Sequence, residues 1–524
     1  MADRFTILGE KPRGILSREE RDRGMAVIAD LQIDRAFRTI CPDSMYRESF
    51  LSVLATPLTD PDEIRERQRI ARYFHENPQT LERMIEVIRR LLLSKNQWDA
   101  ERSRLMASRR VDPQDKNLVL WVARENLVLT AHFARIILLS IRDIYETMNQ
   151  FGAEGGWLGR LKDASREIAS TADTDTLLSF CDKIEKGLAY AHTYDIEFDC
   201  SEDLRVTVPF LADFAYVPIA KKPDKPQRGG LFSLFGSKRN SADTETAAPI
   251  PTEMPEVHVS LSGTDLAWGM DLSARAVQEC DRMLTSLLRT AVDRYAGLEE
   301  ELYFYRCLLI YQKRFEELGV KTVYPDILPE TDNVIRIGNL SDLLLLAESL
   351  HVSSVIPNDV NCVREGGLSG MLVTGKNNSG KTVYLRSIGT AVLLAECGCP
   401  VTAEIAEISV RRRIFTAFAR AEGELVPLSS AGRFEEEVAE IASIIGQMEP
   451  DSLLLLNETF QTTAYDEGAE GMAPILEYLS ALGCGFIFVT HLTRLVEMLR
   501  GTPGVTVMRT SDDPRTRYKI APIA

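Results

Sequence analysis

The stretch Gly375-Lys376-Asn377-Asn378-Ser379-Gly380-Lys381-Thr382 fits the pattern G-x-x-x-x-G-K-[ST]. It follows an apolar run, Met371-Leu372-Val373, and leads into a segment of helical character from Val383 to Glu396. This order predicts a buried strand, a glycine-rich loop and a helix in succession. In that setting the glycines let backbone N–H groups turn toward phosphate oxygens. Lys381 can then reach the β and γ oxygens, and the Thr382 hydroxyl can ligate Mg²⁺. Binding of ATP or GTP is the expectation.

Around this loop, short apolar runs alternate with helical segments: Asn333 to Ile337, Gly370 to Thr374, Ser452 to Leu456 and Gly485 to Thr490. Strands spaced by helices predict parallel pairing and a sheet covered on both faces, so residues 323–524 read as an α/β nucleotide-binding domain. The run Ser452 to Leu456 ends in Asn457-Glu458. An acidic pair there would help hold Mg²⁺ and orient or deprotonate an attacking water. Glu458 suits the second task. Asn457 is neutral and can hold Mg²⁺ only through a metal-bound water, which predicts slow or gated hydrolysis. The strand from Phe486 to Thr490 ends at His491, on the edge where ligands of parallel sheets bind, so His491 is expected to sense the γ-phosphate.

The rest of the chain reads differently. Residues 1–24 are polar, and an N-terminal arm or a loose first helix is expected there. Residues 25–220 form a helical core and lever domain, with boundaries at Pro57, Pro61, Pro78 and Pro113. Asp60-Pro61 supplies a cap and a first-turn proline. Leu129, Phe133, Ile137, Ile141 and Ile144 make one apolar helical stripe, and His132 beside it reads as a packed or surface side chain. Asp203 to Val208 alternates like a short strand. Residues 221–256, rich in proline, glycine and serine around Leu231-Phe232-Ser233-Leu234-Phe235, read as a flexible linker. Over 257–322 the seam Leu284, Leu288, Ala291, Tyr295, Leu298, Leu302, Tyr305 and Leu309 steps by three and four, predicting one long returning lever helix.

The ordered pieces of the C-terminal half resemble the ATPase domain of the MutS family of DNA mismatch-repair proteins, within the wider ABC-type ATPase group. They are Pro357-Asn358-Asp359, the loop itself, Glu396 to Ala403, Arg413-Ile414-Phe415-Thr416, Asn457-Glu458 and Val489-Thr490-His491. The fold implied is an α/β P-loop (ABC-type) ATPase domain at the C-terminus, preceded by a mostly α-helical core. The resemblance further implies ATP and Mg²⁺ as cofactors, Asn358 among the ATP-binding residues, and a homodimer in which a signature segment completes the partner's site. Here that segment is Leu428 to Glu437. Phe434 and Glu437 fit its pattern, whereas Gly432 and Arg433 replace the expected serine and threonine. Ser429, Ser430 and Arg433 are therefore the candidates for the group that acts in trans. Pro57-Leu58-Thr59-Asp60-Pro61 looks like the opening of the family's helical core, and no counterpart of its N-terminal mismatch-reading domain is expected.

Composition bounds these readings. The chain has 524 residues, a net charge of −16 and 45% hydrophobic content, as expected of a globular protein of about three domains without indiscriminate affinity for polyanions. Its nine cysteines are spaced like reduced core thiols rather than metal ligands. The charged N-terminus and the lack of an uncharged run near ~20 residues predict a soluble, cytoplasmic protein without a membrane span. The cluster Arg89, Arg90, Lys95, Arg102, Arg104, Arg109 and Arg110 around Trp98 reads either as a track for DNA phosphates or as a solvated helix face, and the lysines and arginines of the linker form a second basic patch whose composition is that of a loop rather than a clamp. The expected function is a MutS-like ATPase coupling nucleotide state to DNA binding. The alternative is a nucleotide-gated protein-interaction module that binds no DNA.

Overall fold

The computed structural model describes residues 4–10, 18–107, 114–152, 154–200, 206–216, 266–349, 351–363, 370–418, 433–460 and 465–523. The expected linker at 221–256, Arg109, Arg110, Ser429 and Ser430 lie outside these residues. The chain is mostly helical with mixed sheets and divides into two compact units.

The first ten helices are α1 (Arg18–Asp30), α2 (Ile33–Ile40), α3 (Ser44–Leu54), α4 (Pro61–Glu76), α5 (Pro78–Ala107), α6 (Lys116–Gln150), α7 (Gly156–Ala169), α8 (Ala172–Gly187), α9 (Leu266–Asp293) and α10 (Leu298–Glu317). An antiparallel pair, β1 (Ala191–Cys200) and β2 (Val206–Tyr216), precedes α9. The helix starts follow their capping chemistry. Asp60 accepts the N–H groups of Asp62 and Glu63 ahead of α4, and Asp115 accepts that of Leu118 in α6, satisfying donors that a helix start leaves open.

One unit (residues 1–4, 86–153 and 160–296) is organised by α6, α8 and α9 with the β1–β2 hairpin. The α6 stripe from Leu129 to Ile144 is buried in it. The other unit (5–85, 154–159 and 297–524) contains α10 packed on α3 and α4, together with the α/β region. The expected single lever helix over 257–322 is therefore corrected: within the described residues it is two helices, separated at Gly297, whose φ is +98°. All eight seam residues are buried, so the periodicity survives although the helix does not. In the N-terminal segment, residues from Arg18 onward form α1, and the described residues around Ile7 are held by specific contacts. Ile7 and Leu8 are buried, Ile7 N–H donates to Glu301 (2.7 Å), Tyr305 Oη donates to Ile7 O (2.6 Å), and Arg67 Nε donates to Leu8 O (3.0 Å).

The α/β region continues with β3 (Asp326–Leu328), β4 (Ile335–Leu340), α11 (Leu343–Glu348), β5 (Asn358–Cys362), β6 (Gly370–Thr374), α12 (Lys381–Glu396), β7 (Ile405–Ser409), β8 (Ile414–Phe418), α13 (Arg433–Gln447), β9 (Leu453–Asn457), α14 (Tyr465–Ala481), β10 (Gly485–Val489), α15 (Thr493–Leu499), β11 (Val505–Thr510) and β12 (Ile520–Pro522). The larger sheet runs β12-β11-β6-β10-β9-β8, parallel except for β12. Its strands read as continuous apolar runs because both faces are covered. Leu454, Leu456, Phe486 and Phe488 join a core with Ile441 of α13 and Leu476 of α14. On the opposite face, Leu455 lies against Gly389 of α12. The β4 run does not belong to this parallel sheet, contrary to expectation. It lies in a smaller sheet, β3-β7-β4-β5, antiparallel to both of its neighbours.

Candidate functional site

Register brings the carboxyl ends of the larger sheet to one edge. Val373 pairs with Val489, Val489 with Asn457, and Asn457 with Phe418. The residues that follow β6, β9 and β10 therefore share that edge, where strand dipoles and loops converge on ligands.

After β6 the chain turns through Gly375 (φ +142°), Asn378 (φ +57°) and Gly380 (φ +94°). A Cβ on Gly375 would lie 1.9 Å from Thr510 Oγ1, so only glycine fits there. Gly380 caps α12 without a side-chain bond. The first-turn N–H groups, with the helix dipole behind them, are left to an anion. Lys381 is folded back over the loop, with its Nζ donating to Gly375 O (3.0 Å) and Lys376 O (2.9 Å). Burial lowers its pKa, and the Glu458 carboxylate pulls it back up. Ser379 Oγ donates to Lys376 O (2.6 Å), and Lys376 Nζ pairs with Asp512 (3.0 Å) in solvent.

Thr382 Oγ1 donates to Asn457 Oδ1 (3.0 Å), linking the two residues expected at Mg²⁺. Glu458 N–H donates to Val489 O (2.9 Å), and the Glu458 carboxylate lies 3.4 Å from His491 Nε2. That separation is beyond a good hydrogen bond, and among the described residues the buried Nε2 has no hydrogen-bond partner. Glu458, His491, Lys381, Thr382 and Asn457 thus lie together at this edge. Asn358 Oδ1 accepts the Ile520 N–H (2.9 Å) and its Nδ2 donates to Tyr518 O (3.1 Å). It pins the C-terminal strand while still lining a cavity.

Two cavities flank the loop. One, of about 580 Å³, is bounded by Asn378 and Gly380 on the loop side and by Ile356, Val383, Tyr384 and Tyr518 beyond. The other, of about 600 Å³, contains Gly375, Lys376, Asn377, Thr490, His491 and Arg509. Sequence reading missed Tyr518 and Arg509, which lie far along the chain in a segment without a motif. Arg433 and Phe434 open α13.

Among the described residues of the basic cluster around Trp98, four cations are paired with acids. Trp98 is fully buried, Arg90 pairs with Asp143, Arg102 with Asp281 (2.7 Å), Arg104 with Glu101 (2.7 Å), and Lys95 with Asp99 (3.6 Å). His132 Nδ1 lies 2.9 Å from Glu185. Among the described residues no group of three His, Cys, Asp or Glu side chains suits a metal ion, and no helix is long and apolar enough to cross a membrane.

A family model described as MutS domain V matches residues 371–518. The chain is 32% identical over 238 residues to the DNA mismatch repair protein MSH2 of Saccharomyces cerevisiae, covering 44% of this chain and 24% of that one. It is 30% identical over 234 residues to the DNA mismatch repair protein MutS of Microcystis aeruginosa, covering 41% and 26%. With MSH3 of Eremothecium gossypii the identity is 35% over 170 residues, covering 32% and 16%. Across such relatives the match spans between 15% and 29% of their own length. Through residues 371–518 the chain is similar to the MutS family, and it spans less than a third of the length of the relatives it matches.

Proposed function

We propose that this chain is an ATP-binding and ATP-hydrolysing protein related to DNA mismatch repair, with a P-loop (ABC-type) site that couples nucleotide state to DNA binding rather than to mismatch reading. The observation that carries the reading is the shared sheet edge, where the Gly375–Gly380 loop, Lys381, the Thr382–Asn457 contact and the Glu458–His491 pair meet. The triphosphate lies along the loop and the α12 N-terminus, and Lys381 exchanges its bonds to loop carbonyls for phosphate oxygens. The base and ribose enter the cavity bounded by Ile356, Val383, Tyr384 and Tyr518, which offers an apolar floor and an aromatic ring.

The oxygen donors of Thr382 and Asn457 fit a hard cation such as Mg²⁺. When bound, that ion would neutralise charge on the β and γ oxygens. Glu458 accepts the proton of the attacking water, and His491 orients the γ-phosphate. Because Asn457 brings no negative charge, turnover is slow. Ser429, Ser430, Arg433 or Phe434 of a second copy completes the site, making the working form a homodimer. The domains divide as an N-terminal helical core and lever followed by the ATPase region at 323–524.

One observation favours a second reading, a nucleotide-gated protein-interaction module. In the basic cluster around Trp98, the charges of Arg90, Arg102 and Arg104 are answered by acids. A single set of titrations addresses both readings. Binding of a fluorescent ATP analogue with Mg²⁺ is expected in the unaltered protein, and Lys381→Ala should weaken it about 100-fold or more, as expected for losing a charge-assisted contact to phosphate. Equal affinity in the variant removes the site. Salt-dependent binding to duplex or branched DNA supports the DNA reading, and none above background at low salt selects the module.

A further inference from the structure

The turn after β9 holds two non-glycine residues in the left-handed region, Glu458 (φ +58°) and Phe460 (φ +63°). Side chains keep that conformation where surrounding contacts hold them. Three elements supply such contacts. Glu458 N–H donates to Val489 O of β10 (2.9 Å), Thr459 Oγ1 to Ala417 O of β8 (3.3 Å), and Phe460 N–H to Glu437 Oε2 of α13 (2.8 Å). The Phe460 ring is 5% exposed and sits in the core that includes Ile441 and Leu476. The first two bonds belong to the sheet and move only with it. The third comes from a helix side chain one turn beyond Arg433, where the segment expected to act on a partner's nucleotide ends.

We propose that Glu437 is a positioning residue. By accepting the Phe460 N–H, its carboxylate holds the left-handed turn that fixes where the Glu458 carboxylate lies, and so ties turnover to the seating of α13. The inference rests on the ATPase reading above. A carboxylate suits the task because a charge-assisted bond to a backbone N–H is stronger than a neutral one. Displacement of the α13 N-terminus withdraws the acceptor, and the turn is then free to leave the left-handed region. Glu458 would move with it, Glu437 acting through the backbone of the turn.

The test compares Glu437→Ala with Glu437→Gln, which keeps an oxygen acceptor on a side chain of the same length. Loss of the acceptor is expected to lower kcat about 10- to 100-fold, the scale of a slightly misplaced catalytic group. Affinity for the ATP analogue should stay within about twofold, the pattern of an interaction that acts on the chemical step. Glu437→Gln should recover most of the rate, and amide exchange at Phe460 should quicken in the Ala variant alone. Wild-type turnover in Glu437→Ala, parallel loss of affinity and rate, or a Gln variant as slow as Ala would each overturn the assignment while leaving the ATPase reading standing. Absence of turnover in the unaltered protein overturns the ATPase reading and this inference with it.

Discussion

Two loops meet at the carboxyl edge of the parallel sheet and reach positive φ by opposite means. Between β6 and α12 the unusual conformations fall on Gly375, Asn378 and Gly380, and after β9 they fall on Glu458 and Phe460. Glycine enters this region without a Cβ penalty, so the first loop takes its shape from residue type and presents bare N–H groups. In the second loop each left-handed residue costs on the order of 1–3 kcal/mol. Burial of the Phe460 ring, of a kind worth about 3–5 kcal/mol when removed, offsets that cost. The loop suited to an anion is therefore sensitive to an added Cβ, and the loop suited to chemistry is sensitive to a lost contact.

The largest expected effect tests whether chemistry resides in the clamped turn. Glu458→Gln keeps the shape of the side chain and removes its basicity, and kcat should fall about 100-fold or more while ATP remains bound. Single-turnover assays with radiolabelled ATP read this directly. Turnover at the wild-type rate would place the base elsewhere and dissolve the contrast between the loops. Next in size is Gly375→Ala. Its φ of +142° lies outside the left-handed region open to alanine, and the new Cβ would meet Thr510 Oγ1 at 1.9 Å and Thr510 Cβ at 3.0 Å. A stability loss of about 2 kcal/mol or more is expected from strain and overlap together. Urea denaturation measures it, and an unchanged midpoint would show that the loop shifts freely.

The contrast also marks what the sequence could reveal. The glycine loop was legible because its residue types state their backbone needs, and β6, β9 and β10 were legible because strands buried on both faces are continuous apolar runs. The clamped turn was not, since nothing in Thr459-Phe460 announces positive φ. One of its clamps is Glu437, on a helix that precedes β9. The α9–α10 break was hidden for the opposite reason, because the apolar seam runs through it and Gly297 is one residue among buried neighbours. Around Trp98, the partners of Arg90 and Arg102, Asp143 and Asp281, are distant in sequence. Local pattern carries local needs, and long-range pairing must be seen in the fold. The smaller sheet shows the same limit, since β3, with three residues, and β7, with five, offer too little periodicity to read.

The smallest effect separates conformational strain from overlap within the glycine loop itself. Gly380 also has positive φ, but a Cβ there would meet Tyr518 Cδ1 at 3.4 Å, an ordinary contact. Gly380→Ala should therefore lose only the backbone term, about 1–2 kcal/mol for an L residue held in a left-handed conformation. Because the α12 cap uses no side chain from this position, the first-turn N–H groups keep their direction and ATP-analogue affinity should drop far less than in Gly375→Ala. Paired urea melts and titrations of the two variants give the comparison. If Gly380→Ala proves as damaging as Gly375→Ala, overlap with Thr510 is not what distinguishes the positions. The loop would then require glycine throughout for its motion rather than its shape.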